Sequence, residues 1–171
     1  LDRFGVRIFR PLQPMLAQPA DDIVESLSEL GRAALELKVV GARIQVHRDR
    51  NDVAVYSRSL RDVTGSVPEV VAAALALPAQ RIILDGEAIA PRDDGRPHPF
   101  QVTMRRFGRK LDVDAMRSEL PLEPYFFDLL HLDGEDLIAA PASERFARME
   151  EALPAGRIVP RRVTDDAAEA A

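Results

Sequence analysis

The chain has 171 residues, of which 46% are hydrophobic and 30% are charged, proportions typical of a soluble globular domain and not of a disordered segment. It contains no cysteine, which excludes a disulfide scaffold, a thiolate nucleophile and a cysteine-ligated zinc site. The 23 basic and 28 acidic residues give a net charge of −5, which argues against a chain-wide basic surface for nucleic acid. The sequence shows neither a membrane span nor a signal peptide, so we expect a cytoplasmic protein.

Hydrophobic spacing and turn residues predict helices interspersed among strands that are joined mainly by short hairpins. In chain order we expect a helix over 21–34, a strand over 35–39, a β-hairpin over 43–57, a helix over 67–77, a strand over 81–90, a short helix over 100–107, a strand over 124–131, a helix over 143–153 and a strand over 157–163. This order favours an α+β domain with mostly antiparallel sheets and flanking helices over a doubly wound parallel sheet.

Both ends of the sequence indicate a piece of a longer polypeptide. The chain starts at Leu1 and not at an initiator methionine, and a proline-rich stretch follows. At the other end, Thr164 and the two aspartates after it are typical of a helix start, but the sequence stops at Ala171. We therefore interpret residues 1–11 as a connector from a missing N-terminal domain, and residues 12–171 as a domain truncated at its C-terminal end.

The first segment that could carry chemistry runs from Glu36 to His47. Glu36 and Lys38 share one strand face, whereas Arg43, Gln45 and His47 share a face of the next strand. The change of parity between them predicts a bend that brings Lys38 and Arg43 together, and two cations without a carboxylate favour an anion such as phosphate. A lysine beside an arginine also loses some preference for its proton, as an amine nucleophile requires. The alternative is an exposed hairpin face with solvated charges.

Further charged residues lie at or within predicted strands. Arg58 follows the return strand of the hairpin and either reaches the same place or lies on the surface. Asp85 and Glu87 are two apart in a predicted strand, so they face the same side. Carboxylates in an apolar strand are costly unless they are paired, hydrated or bound to a metal. The alternative is a turn at Asp85 with both acids in water.

An aromatic strand supplies a candidate stacking ring. Phe126 and Phe127 are adjacent, so they point to opposite faces, and one can pack in a core while the other lines a pocket. The alternative is that the strand belongs entirely to the core. The densest basic cluster, which either tracks a phosphate backbone or forms an exposed helix end, consists of Arg105, Arg106, Arg109 and Lys110.

Four groups of residues occur together in an order and spacing found in a known family. They are Glu36-x-Lys38-x-x-Gly41-x-Arg43, Ser57-Arg58, Leu84-Asp85-Gly86-Glu87 and Phe127-Asp128-Leu129. Over roughly residues 12–171 the chain resembles the adenylation domain of bacterial ATP-dependent DNA ligases. That family belongs to the lysine-adenylating nucleotidyltransferases, with RNA ligases and mRNA capping enzymes. The resemblance implies a nucleotidyltransferase (ATP-grasp-like) fold.

The resemblance also implies roles for individual residues. Lys38 would attack the α-phosphate of ATP, expel pyrophosphate and carry AMP. The residues that would bind ATP or AMP are Glu36, Lys38, Arg43, Arg58, Glu87 and Phe127. Glu87 would also be a candidate ligand for Mg²⁺. In the full enzyme, AMP would pass to a 5′-phosphate in nicked double-stranded DNA, which would then be sealed in replication, repair or recombination. The DNA-binding and OB-fold domains of such an enzyme would lie outside this chain.

Two departures from the family pattern leave alternatives open. The family's lysine motif is Lys-x-Asp-Gly, but Val40 stands here in place of the aspartate. The sequence also ends before the later motifs that supply further phosphate and metal contacts. One alternative is therefore a non-catalytic nucleotide-binding module or an inactive fragment. Another is an RNA ligase or capping-type nucleotidyltransferase.

Overall fold

The computed structural model describes residues 5–107 and 112–170. Its elements, in chain order, are α1 (Ile23–Leu30), β1 (Ala33–Glu36), β2 (Ala42–Asp49), β3 (Asp52–Ser57), α2 (Pro68–Leu75), β4 (Arg81–Ile89), α3 (Phe100–Phe107), α4 (Val113–Glu119), β5 (Glu123–Leu132), β6 (Glu135–Asp136), α5 (Ala142–Ala152), β7 (Arg161–Thr164) and α6 (Ala167–Ala170). No helix in these two ranges is long and apolar enough to cross a bilayer.

The chain divides into two compact units. The first, here called the sheet unit, contains the residues up to Gln13 and Val39–Ile158. Its five-stranded sheet has the order β3-β2-β4-β5-β6, and neighbouring strands pair antiparallel. The second, here called the two-strand unit, contains Pro14–Lys38 and the residues from Val159 onwards, and it pairs β1 with β7. The predicted α+β class with mostly antiparallel sheets is confirmed.

One face of the five-stranded sheet carries the hydrophobic core of the sheet unit. Ile44 and Val46 alternate along β2 and are fully buried, as the periodicity predicts. They belong to one cluster with Leu84 of β4, Val70 of α2 and Met149 of α5. Because side chains alternate along a strand, the polar residues between them in β2 lie on the opposite face of the sheet.

The pairing of β4 with β5 is irregular where the aromatic pair lies. The register shifts between Asp85 and Gly86, so Phe127 is an extra residue on β5. A Cβ at Gly86 would fall on the carbonyl oxygen of Tyr125 and close to the ring of Phe126, so a side chain does not fit there. Phe126 is 1% exposed in the core. Gly86 is thus required for the close approach of the two strands.

Several predicted boundaries are wrong for local reasons. The helix predicted over 21–34 ends at Leu30, because Gly31 adopts φ +69° and its N–H caps the helix on the carbonyl of Leu27. The strand predicted over 35–39 begins and ends earlier, as β1 (Ala33–Glu36), and the strand predicted over 157–163 begins and ends later, as β7 (Arg161–Thr164). α4 was not predicted. The hydroxyl of Thr164 accepts from the N–H of Asp166, and the carboxylate of Asp166 caps α6.

Part of the predicted basic cluster is structural. Arg106 is 2% exposed, and its guanidinium donates to both carboxylate oxygens of Glu69, at 2.8 and 2.9 Å. It also donates to the carbonyls of Met116 and Leu120 at the end of α4. These bonds engage both terminal nitrogens of the guanidinium, so neither expected alternative, a surface that tracks a phosphate backbone or an exposed helix end, holds for Arg106. Residues 109 and 110 of the predicted cluster lie outside the described residues.

Candidate functional site

The polar faces of β2 and β4 meet at a buried carboxylate, Asp85. Arg43 donates from Nη2 to Asp85 Oδ2 at 2.8 Å, and Gln45 donates from Nε2 to Asp85 Oδ1 at 3.0 Å. Gln45 lies directly opposite Asp85 in the antiparallel register, and Arg43 lies opposite Glu87. The alternative of a solvated turn at Asp85 is wrong, because Asp85 is 7% exposed inside a continuous strand. The carboxylate is therefore paired, as a buried charge requires.

Opposing influences act on the charge of Asp85. The pKa of its carboxyl is raised above the ordinary value, because burial raises it and Arg43 and the hydrogen bond from Gln45 offset only part of this rise. The nearby carboxylate of Asp128 raises the pKa of Asp85 further. Asp128 is itself held by Arg145 of α5, with Nε–Oδ1 and Nη2–Oδ2 distances of 2.7 and 3.1 Å. The ionised form of Asp85 thus depends on Arg43 and Gln45.

The guanidinium of Arg43 also lies over an aromatic ring. Its Cζ is 5.1 Å from the ring centroid of Phe127, a cation–π distance. The Arg43 side chain remains 28% exposed although it is paired with Asp85. Phe127 faces this polar side while Phe126 packs in the core, as their adjacency predicts. The result is a partly solvent-accessible cation beside a ring, both on rigid strands.

Glu87 ties the end of the lysine motif to the sheet. The N–H of Gly41 donates to Glu87 Oε1 at 3.1 Å. A Cβ at Gly41 would collide with the carbonyl oxygen of Ala88, so the backbone can approach β4 this closely only at glycine. Glu87 is half-buried. In the described part of the chain, no group of three or more histidines and acids is arranged to hold a metal ion.

The face of β2 that carries Arg43 is covered by the N-terminal segment Phe9–Leu12. The N–H of Phe9 donates to His47 Nδ1 at 3.0 Å, and the N–H of Leu12 donates to Gln45 Oε1 at 2.8 Å. His47 is 0% exposed and Gln45 is 5% exposed, so the expected alternative of a solvated hairpin face is wrong for both. Burial, with a smaller contribution from His131, lowers the pKa of His47 from 6.5 to about 4.

Of the remaining predicted site residues, Glu36 and Lys38 belong to the two-strand unit and Arg58 to the sheet unit. Glu36 is on β1, and its Oε1 accepts from Arg161 Nε and Nη2 at 3.0 and 2.6 Å. Lys38 is exposed and is the last residue of its segment of the two-strand unit. Arg58 is exposed in the turn after β3, where the N–H of Leu60 bonds the carbonyl of Ser57.

Two buried residues of this cluster were not assigned to the site from the sequence. Parity had already placed Asp85 on the strand face of Glu87, and Gln45 on the face of Arg43. The sequence left open whether the Asp85 carboxylate is buried and paired, and it gave no sign that Gln45 is its partner.

Comparison with known proteins gives consistent matches. The model of the family described as ATP dependent DNA ligase domain matches residues 14–171. A probable DNA ligase from Anaeromyxobacter sp. (strain Fw109-5) is 60% identical over 100% of this chain and 33% of its own length. One from Mycobacterium marinum is 51% identical over 99% of this chain and 33% of its own length. The chain thus spans about a third of the curated relatives that it matches.

Solved structures give the same fold. A structure of mycobacterial DNA ligase D complexed with ATP and MES is 27% identical with a TM-score of 0.59, over 81% of this chain and 42% of that one. The ligase domain of LigD from M. tuberculosis is 29% identical with a TM-score of 0.54, over 70% of this chain and 36% of that one.

Because His47 is buried, we expect the free energy of unfolding to fall at acid pH. Because the pKa of His47 is lowered to about 4 on folding, the unfolded chain takes up a proton below pH 6.5 that the folded chain refuses until about pH 4. This group therefore contributes stability above pH 6.5, and about 3 kcal/mol of it is lost by pH 4. In His47→Gln, the fall in unfolding free energy between these pH values should be smaller by about that amount.

Urea unfolding at a series of pH values measures this difference. His98→Gln, which replaces a half-buried histidine elsewhere in the sheet unit, is the matched control for the loss of a histidine. Equal pH dependence in wild type and His47→Gln would contradict the assignment of a neutral, buried His47.

Proposed function

Because this chain belongs to the ATP-dependent DNA ligase domain family, we propose that it is the adenylation domain of an ATP-dependent DNA ligase. The observation that carries the proposal is the placement of Arg43. Its guanidinium is fixed by a buried carboxylate, lies over the Phe127 ring and remains partly exposed. A cation beside a ring fits a ligand that joins a flat base to phosphates.

The chain would be one part of the whole enzyme. We interpret residues 12–171 as the adenylation domain, truncated at its C-terminal end, and residues 1–11 as a connector from a preceding domain. The chain spans about a third of its curated relatives, which is consistent with this interpretation. The rest of the enzyme would supply the DNA-binding and OB-fold domains, and its partner would be nicked double-stranded DNA. The net charge of −5 agrees with a piece that does not hold DNA alone.

We assign the nucleotide contacts from the family resemblance. Phe127 would stack on the adenine ring, and Arg43 would contact the sugar and phosphates. Glu87 would accept hydrogen bonds from the ribose hydroxyls. Glu36 would help to recognise adenine, and Arg58, whose side chain is exposed, would contact phosphate. A similar fold complexed with ATP, in mycobacterial DNA ligase D, supports ATP as the nucleotide.

Lys38 would be the nucleophile. Its neutral amine would attack the α-phosphorus of ATP, so that a bond from Nζ to phosphorus forms and the bond to the pyrophosphate oxygen breaks. An amine proton would leave to solvent, and pyrophosphate would carry away the bonding electrons. The exposure of Lys38 leaves its amine accessible. The whole enzyme would then transfer AMP to a 5′-phosphate at the nick.

Magnesium would bind at this site only together with the substrate. The described residues offer no cluster of three or more histidines and acids for a metal. Mg²⁺ is commonly held by one or two carboxylates plus substrate phosphates, and Glu87 would supply such a carboxylate. When bound, the ion would neutralise charge on the pyrophosphate leaving group.

Val40 favours a second candidate function. It is 46% exposed and occupies the position where the family has an aspartate, so one carboxylate is absent next to Gly41. A domain that binds the nucleotide without completing the reaction is consistent with this substitution. The two functions differ in whether a covalent adduct forms.

The proposed reaction is tested by incubating the chain with ATP and Mg²⁺ and measuring its intact mass. We expect the mass of one AMP to be added, with the adduct mapped to Lys38 by peptide sequencing. The adduct should be lost in Lys38→Ala and retained in Lys110→Ala, which removes the chain's only other lysine. ATP binding without an adduct would favour the non-catalytic module, and an adduct on Lys110 would overturn the site assignment.

The effect of Val40 is tested in the full-length enzyme. Val40→Asp restores the family's carboxylate, and we expect nick sealing to increase by about tenfold or more, the effect of one interaction worth about 1.4 kcal/mol in the transition state. Val39→Asp is the matched control, since it adds the same charge one position away and should not increase sealing. Unchanged sealing in Val40→Asp would show that the missing aspartate is not needed here.

A further inference from the structure

A chain of buried and partly buried hydrogen bonds leads from the N-terminal segment to Arg43. Besides the bonds from Phe9 to His47 and from Leu12 to Gln45, Gln45 Nε2 donates to the carbonyl of Leu12 at 3.3 Å. The hydroxyl of Tyr56 donates to the carbonyl of Phe9 at 3.1 Å. These bonds join a segment that the family match, which starts at residue 14, does not include.

The direction of these bonds is fixed at each step. His47 accepts at Nδ1 from Phe9, so a neutral ring carries its proton on Nε2 and donates to Gln45 Oε1 at 2.9 Å. Gln45 Oε1 therefore accepts from His47 and Leu12, while its amide nitrogen donates to Leu12 and Asp85. A flipped amide would place an oxygen against the carboxylate. Only one orientation of Gln45 satisfies every partner.

This orientation determines where Arg43 is held. Gln45 occupies Oδ1 of Asp85, which leaves Oδ2 to receive Arg43. A long, partly exposed arginine has many rotamers, and fixing it in one costs entropy unless its partner is itself immobile. Gln45 immobilises that partner, because the Asp85 carboxylate is hydrogen-bonded on both oxygens.

The N-terminal segment is bound strongly enough to hold an unfavourable backbone conformation. Phe9 has φ +65°, which is uncommon for a residue with a side chain. Its N–H and its carbonyl are both used, by His47 and Tyr56 respectively. The rings of His47 and Tyr56 also meet edge to face, with centroids 5.1 Å apart. The segment is thus attached to β2 and β3 by specific hydrogen bonds.

We propose that Gln45, oriented by His47 and Leu12, is a positioning residue that fixes Arg43 over Phe127 through Asp85. The segment Phe9–Leu12 is then a supporting part of the nucleotide site. This inference rests on the proposed function for what Arg43 binds. It concerns residues that touch neither the nucleotide nor the reacting atoms, and it assigns them a role beyond the stability of the sheet unit.

The test is a double-mutant cycle on ATP affinity. Gln45→Leu removes the amide at similar size, and we expect it to weaken ATP binding about tenfold. In an Arg43→Ala background, the same change should have no further effect, because the group that it positions is gone. Thr64→Val is the control: Thr64 bonds the backbone of Val55 on the same sheet, and its loss should lower stability without changing ATP affinity.

A second variant and a second measurement keep the test decisive. If Gln45→Leu does not fold, Gln45→Glu keeps the shape but replaces the donor to Asp85 by an oxygen, and it should weaken ATP binding similarly. Side-chain NMR measures how firmly the Arg43 guanidinium is held when no nucleotide is bound. The Arg43→Lys variant identifies the Arg43 signal. We expect slow guanidinium exchange in wild type and fast exchange in the folded position-45 variant.

The outcomes separate the two proposals. Wild-type ATP affinity in the folded position-45 variant, or equal losses in both backgrounds, would overturn the positioning role even if the wild type binds ATP. If the wild type does not bind ATP, the proposed function fails, and the exchange of the Arg43 side chain alone decides the positioning role. Unchanged exchange would then reject it.

Discussion

The buried carboxylate of Asp85 is the constraint on which this site depends. An ionised group at 7% exposure is costly unless charge and hydrogen bonds compensate for its lost water. Here the compensation comes from Arg43 on one oxygen and Gln45 on the other. Both come from the neighbouring strand, so satisfying this one group also fixes a cation on the exposed side of the sheet.

Backbone packing places the second half of the site. Gly86 lets β5 approach β4 where a Cβ would strike the Tyr125 carbonyl. The register shift at that point makes Phe127 the extra residue of β5, and its ring lies beside the Arg43 guanidinium. Gly41, just before β2, similarly approaches the Ala88 carbonyl of β4, and its N–H donates to Glu87. The glycines of the two motifs therefore have packing reasons independent of any ligand.

Sequence reasoning predicted the features that depend on strand parity. The shared face of Arg43, Gln45 and His47 and the opposite faces of Phe126 and Phe127 follow from alternation alone, and the structure agrees. Whether those polar residues are buried depends on a covering segment far away in the chain, so parity could not decide it.

Other features depend equally on distant partners. The burial of Arg106 depends on Glu69, which lies 37 positions earlier in the sequence. The end of α1 at Leu30 could have been predicted from the sequence, because glycine at position 31 is a recognised helix stop signal. The roles of Glu36, Lys38 and Arg58 come from the family resemblance and stay predictions. Their local structure, an ion pair on β1, an exposed lysine and an exposed turn, does not decide them.

We propose that the adenine nucleotide binds on the face that carries Arg43 and Phe127. A crystal structure of the chain with bound ATP would show whether it does. We expect the adenine ring to stack on Phe127 and a sugar or phosphate oxygen to accept a hydrogen bond from Arg43, with the Asp85 ion pair retained. ATP bound elsewhere on the chain, with the Phe127 ring uncovered, would contradict it.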